Sequence, residues 1–150
     1  MYINVLLMYC IKDMTCGLQY LHQNNIVHKN LKSSNVLFDD YNCTWKLSDV
    51  GQDSSENVTE APSKQNDIFS LGIMIYEICH VVDGDYHKQL TNLDENEKLP
   101  KIGYRISAFH PDLDVVVRAM IQYPVENRVV IEQVYKKINR LMNGTHIYLT

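Results

Sequence analysis

No apolar run in these 150 residues approaches the roughly 18 residues that a membrane-spanning helix requires. The apolar start, Met1 to Cys10, lacks a basic segment and a small-residue cleavage site, so it does not read as a secretory signal. A basic excess is missing too. Fourteen Lys and Arg face eighteen Asp and Glu, a net charge of −4, which argues against a broad nucleic-acid surface. The four cysteines, Cys10, Cys16, Cys43 and Cys79, show no CxxC or other metal-ligand spacing. Most have apolar neighbours and are expected to be buried thiols in a reducing compartment. Three N-x-S/T triplets, at Asn42, Asn57 and Asn143, matter only if the chain leaves the cytosol.

What is present is ordinary for a soluble globular domain: 45% apolar and 21% charged residues, in a chain long enough to bury a sizeable core. Leu7, Ile11, Met14, Leu18 and Leu21 recur at three-to-four spacing, which predicts an amphipathic helix over 4–25. Asn24 and Asn25 suit its C-terminal turn, because asparagine tolerates a left-handed backbone. Val36-Leu37-Phe38 and Thr44-Trp45-Lys46-Leu47 read as two strands joined by the polar turn Asp39-Asp40-Tyr41-Asn42. Such a hairpin puts Asn35 before its first strand and Asp49 after its second, so both side chains emerge at one end. Magnesium needs converging oxygens of this kind.

The polar stretch 52–66 has no apolar period and reads as a loop, with Ser54, Ser55 and Thr59 as hydroxyls that could accept phosphate. From Asp67 to Ile78 the residues are apolar nearly all round, the pattern of a buried central helix, with Asp67 as its N-cap. Residues 80–104 read as a long acidic connection. Leu113, Val116, Val117, Met120 and Ile121 mark a further helix face. Ile131, Val134, Ile138 and Leu141 mark the last, ended by Asn143-Gly144.

Two polar clusters carry the chemistry. His28-Lys29-Asn30-Leu31-Lys32-Ser33-Ser34-Asn35 resembles the catalytic loop of protein kinases, H-R-D-x-x-x-x-N. Asp49-Val50-Gly51 resembles the D-F-G that follows it. Gly17 to His22, the helix from Asp67, and Tyr123 to Arg128 are also similar to kinase segments, so the resemblance covers about residues 4–143. It implies a mainly α fold with a short β-hairpin, a protein kinase-like C-terminal lobe spanning 1–150 as one partial domain. The N-terminal lobe is absent: none of the six glycines forms G-x-G-x-x-G, and no V-A-I-K strand precedes the first helix. Either Met1 belongs to a truncated gene model, the favoured reading, or the protein works without that lobe.

The resemblance also assigns residues. Asn30 stands where the catalytic Asp would be, so the base position is degenerate. Lys32 could neutralise a transferring phosphate. Asn35 and Asp49 are the candidate magnesium and nucleotide ligands, with ATP as the implied cofactor. His28, Asp67 and Arg128 are structural. Asp67 is implied to accept backbone hydrogen bonds from the loop. Arg128 normally pairs with the Glu of A-P-E, which reads Ala61-Pro62-Ser63 here.

Leu31-Lys32-Ser33-Ser34-Asn35 without the base looks like the kinase homology domain of receptor guanylate cyclases, although Lys29-Asn30 replaces their usual Gly-x and W-x-A-P-E is lacking. The expected function is a regulatory pseudokinase module acting on a protein partner or an attached catalytic domain. The alternative is a fragment of an active Ser/Thr or Tyr kinase. Either would be cytoplasmic, or the cytoplasmic part of a membrane receptor, with no membrane contact within this chain and no nucleic acid.

Overall fold

A computed structural model describes residues 2–52, 63–79 and 111–144. The proposed phosphate acceptors, Ala61-Pro62 and the connection 80–104 lie outside these residues. Four α-helices and one hairpin are described: α1 (Tyr2–Gln23), β1 (Val36–Asp39), β2 (Thr44–Leu47), α2 (Lys64–Cys79), α3 (Pro111–Met120) and α4 (Ile131–Gly144). None of the described helices is long and apolar enough to cross a membrane.

The apolar period of α1 buries Ile11, Met14 and Leu18 completely, and the helix packs against α4 and β2. It closes as the asparagines predict. Ile26 N–H donates to Leu21 O at 2.9 Å and Asn25 N–H to His22 O at 3.1 Å, around a left-handed Asn25 with φ 58°. That is a Schellman closure, which satisfies carbonyls the helix end would leave unpaired.

Helix α2 is the centre of the described core. Ile68, Leu71, Ile75 and Tyr76 are each no more than 1% exposed. It packs on α3 closely enough that a Cβ on Gly72 would lie 3.0 Å from both Ile121 Cγ2 and Met120 Cβ. Leu113, Val116, Val117 and Met120 present the matching face of α3, and Ile131, Val134 and Ile138 that of α4.

Two expectations change. Helix α2 begins at Lys64 rather than Asp67, and Ser63 caps it: Asn66 N–H donates to Ser63 Oγ at 3.2 Å and to Ser63 O at 3.1 Å. Asp67 sits inside the first turn, where its carboxylate is available for other elements. The cysteines also divide. Cys10 is buried and Cys79 half-buried, whereas Cys16, on α1, and Cys43, at the left-handed (φ 51°) end of the hairpin turn, are exposed. Burial, with the nearby Asp13 carboxylate adding to it, pushes the Cys10 thiol up to about 11. Burial alone does the same for Cys79.

The hairpin is antiparallel, with Val36 opposite Leu47 and Phe38 opposite Trp45. The Phe38 and Trp45 ring centroids are 4.8 Å apart. Trp45 N–H donates to Asp13 Oδ2 of α1 at 3.0 Å, which satisfies an outer edge of β2 and pins the hairpin to the helix. The strands therefore deliver Asn35 and Asp49 from a fixed base.

Candidate functional site

The site is built where the segment between α1 and β1 crosses the first turn of α2. Asp67, 2% exposed, receives His28 N–H on Oδ2 at 2.7 Å and Lys29 N–H on Oδ1 at 3.0 Å. The same Oδ2 meets His22 Nε2 at 2.9 Å. A carboxylate this deep is tolerable only because donors surround it. Lys29 is left-handed, φ 71°, a conformation that costs a non-glycine residue about 1 kcal/mol or more unless the surroundings impose it. Here Asp67 does so.

Beyond Lys29 the chain ties to itself. Asn30 N–H lies 3.4 Å from His28 Nδ1, and His28 Nε2 is buried with no hydrogen-bond partner among the described residues. Asn35 Nδ2 donates to Asn30 O at 2.7 Å, which leaves Asn35 Oδ1 as that side chain's acceptor. The tight turn Ser33–Asn35 feeds β1. Ser48 N–H donates to Asn35 O at 2.9 Å, and Gly51 N–H to His28 O at 2.8 Å. Gly51 has φ 79°, a backbone that favours glycine.

The sequence-assigned residues divide accordingly. His28, Asn30, Asn35 and Asp67 are in one hydrogen-bonded assembly. Asp49 joins it through Ser48, whose hydroxyl contacts Asn35 O at 3.3 Å and Asp49 Oδ2 at 3.5 Å. Asp49 itself is exposed and left-handed, φ 56°. Lys32 is exposed on the loop. Arg128 stands apart: Nε donates to Gln122 O at 2.9 Å and Nη1 to Gln65 O at 3.2 Å, with the guanidinium 4.7 Å from the Phe69 ring centroid. Backbone carbonyls of α2 and of the turn after α3 thus hold this arginine.

Three contributors escaped sequence reasoning. His22 meets Asp67 across 45 positions. Lys64 Nζ donates to His22 O at 2.7 Å and to Asn25 Oδ1 at 3.0 Å. Ser48 bridges Asn35 and Asp49. Of these, His22 ends the kinase-like segment from Gly17, and Ser48 directly precedes Asp49-Val50-Gly51. The other signals are contacts between distant segments, which no local pattern encodes. A separate cleft of about 530 Å³ opens between α1 and β2, lined by Asp13, Cys16, Tyr20, Trp45 and Val50 among others. None of the loop's polar residues lines it.

The family model described as "Protein kinase domain" matches residues 7–62, the stretch that contains most of α1, the loop and the hairpin. This is a protein kinase-like chain. It is 30% identical over 143 residues to a probable serine/threonine-protein kinase of Dictyostelium discoideum, covering 79% of this chain and 14% of that protein. It is 29% identical over 146 residues to a G-type lectin S-receptor-like serine/threonine-protein kinase of Arabidopsis thaliana, covering 79% and 17%. To the tyrosine-protein kinase Fer of Mus musculus it is 26% identical over 151 residues, covering 84% and 18%. The chain spans 52% of a relative from Acanthamoeba polyphaga mimivirus. The described fold, mainly helical with one two-stranded antiparallel sheet, fits this kinase-like assignment.

Proposed function

We propose that the chain is the C-terminal lobe of a pseudokinase module, one that binds nucleotide or a protein partner and regulates an attached domain without efficient phosphotransfer. The observation that carries this reading is Asn30. By resemblance it stands at the base position of the catalytic loop, and an amide cannot accept a substrate's proton near neutral pH. Loss of a positioned general base costs on the order of 10²–10⁴ in rate. The surviving residues suit binding. Asn35 Oδ1, left as an acceptor by the bond to Asn30 O, and the exposed Asp49 carboxylate are hard oxygen donors of the kind magnesium takes. They would hold the ion, and a bound ion would supply neutralisation of phosphate charge. Lys32 on the exposed side of the loop would add to it.

The alternative, a fragment of an active Ser/Thr or Tyr kinase, is supported by the names of the relatives. Asn30 counts against it. Within the pseudokinase reading, Leu31-Lys32-Ser33-Ser34-Asn35 without a base supports the kinase homology domain of a receptor guanylate cyclase. A membrane span encoded upstream and a cyclase domain downstream would be the expected context.

The test is phosphate transfer to generic protein substrates with magnesium and ATP, on this chain and on a longer form carrying any upstream lobe. The expected result is no detectable turnover from either. Turnover at the ordinary kinase rate of about 1–100 s⁻¹ would overturn the proposal in favour of the active-kinase reading.

A further inference from the structure

Helix α1 carries a second face besides the one it buries. Leu6, Tyr9, Asp13, Cys16 and Tyr20 follow at three-to-four spacing, which sets them in one row along the helix. Leu6, Tyr9 and Tyr20 are 54%, 48% and 67% exposed, and Cys16 is exposed as well. From residue 6 to residue 20 the row runs about 21 Å along the axis. Asp13, Cys16 and Tyr20 also line the cleft of about 530 Å³ against β2, together with Trp45 and Val50. Row and cleft share three residues and so make one continuous groove, mostly apolar. Asp13 stands at the middle of the row, seven positions from Leu6 and seven from Tyr20.

That carboxylate decides what can cover the groove. Its Oδ2 accepts Trp45 N–H at 3.0 Å, and among the described residues it has no ion pair. Lys46, which also lines the cleft, is paired with Asp39. A wholly apolar partner would bury the Asp13 charge with a single hydrogen bond, at a large cost in hydration. A second copy, paired about a two-fold axis at the middle of the row, would set Asp13 against its own equivalent, a like-charge contact. A cation between apolar residues meets neither difficulty. We propose that the groove docks an amphipathic helix of a partner protein, one that carries an arginine between two apolar ends. The arginine donates to the Asp13 carboxylate. The apolar ends cover Leu6 and Tyr9 on one side and Tyr20 on the other, in the manner of a helix laid in a groove. The net charge of −4 favours the approach of a cationic segment. No polar residue of the nucleotide-facing loop lines the groove, so docking here does not require nucleotide binding.

The 150-residue chain has a single tryptophan, Trp45, and it lines the groove, so its fluorescence reads occupancy directly. The probes are two synthetic amphipathic peptides with the same leucine face. They differ only at the central residue, arginine in one and glutamate in the other. The arginine peptide is expected to shift Trp45 emission and to bind about tenfold or more tightly than the glutamate peptide, the worth of one charge-assisted hydrogen bond. Asp13→Asn keeps an oxygen for Trp45 N–H and should abolish that preference. Tyr20→Ser, at an exposed position, should weaken both peptides several-fold and leave the helical circular dichroism unchanged.

Equal affinity for the two peptides, a preference that survives Asp13→Asn, unchanged binding in Tyr20→Ser, or no response of Trp45 to either peptide would each overturn the proposal. A dimer in sedimentation that Tyr20→Ser dissolves would also overturn it and give the face to a second copy. So would loss of the arginine-peptide response in a longer form carrying any upstream lobe, which would assign the face to that lobe.

Discussion

Two aspartates anchor two turns of this chain, and their contrast shows what holds the site. Asp39, at the end of β1, accepts Tyr41 N–H at 3.1 Å, Asn42 N–H at 3.2 Å and Asn42 Nδ2 at 2.8 Å, and pairs with Lys46. Asp67 accepts a similar set: His28 N–H, Lys29 N–H and His22 Nε2. The partners of Asp39 lie two to seven positions away, at the surface. Those of Asp67 lie 38 to 45 positions away and are mostly buried. An Asx turn in solvent can exchange its bonds for water at little cost. A buried carboxylate that joins three segments cannot, because its removal strands donors that water does not reach.

The largest effect should follow from breaking the buried member. Asp67→Ala leaves two backbone N–H groups and an imidazole without their acceptor. It should cost on the order of 3–5 kcal/mol in urea denaturation, if unfolding stays cooperative. A smaller effect should come from the same helix with the carboxylate intact. Ser63→Ala removes the true cap of α2 and should cost about 1 kcal/mol, read from the shift of the urea midpoint. If Ser63→Ala matched Asp67→Ala, helix capping rather than loop anchoring would explain both.

The smallest effect belongs to Asp39. Asp39→Ala should leave the urea midpoint nearly unchanged at pH 7. Hydrogen bonds from Lys46 first, then from Asn42, hold the Asp39 carboxyl well below the usual carboxylate range. Its folded-state affinity for a proton is thus lower than in the unfolded chain, where about 3.9 is usual. Any stability it adds is present above that value and is lost as pH falls below it. The small gap between the unaltered chain and Asp39→Ala should therefore close on acidification below about pH 4. A gap that widened on acidification would contradict the hydrogen-bonding account of this turn.

Most of the fold was legible because it is local. The spacing of Ile11, Met14 and Leu18 locates α1. The all-apolar stretch after Asp67 locates the centre of α2, and Thr44 to Leu47 matches β2 at both ends. The start of α2 was not legible, since Lys64, Gln65 and Asn66 are polar and blend into the preceding loop. Asp67 was accordingly misread as a cap, and the true cap, Ser63, was overlooked. In the site, the pairing of Asn35 with Asp49 at one end of a hairpin follows from strand geometry. The His22 contact, the Lys64 bridge and the cleft between α1 and β2 do not, because they arise only when segments tens of residues apart are packed. The exposure of Cys16 and Cys43 escaped for a related reason: apolar neighbours in sequence do not decide which side of a helix or turn a thiol takes.

Amide hydrogen exchange at His28 and Lys29 in Asp67→Asn and Asp39→Asn tests the central claim most directly. An amide at position 67 offers one oxygen and one NH₂, so at least one of the two backbone donors would face another donor. The account predicts faster exchange at His28 and Lys29 in Asp67→Asn, with both amides unchanged in Asp39→Asn. Equal exchange in the two variants would contradict it, and the loop would then have to be held by something other than the carboxylate of α2.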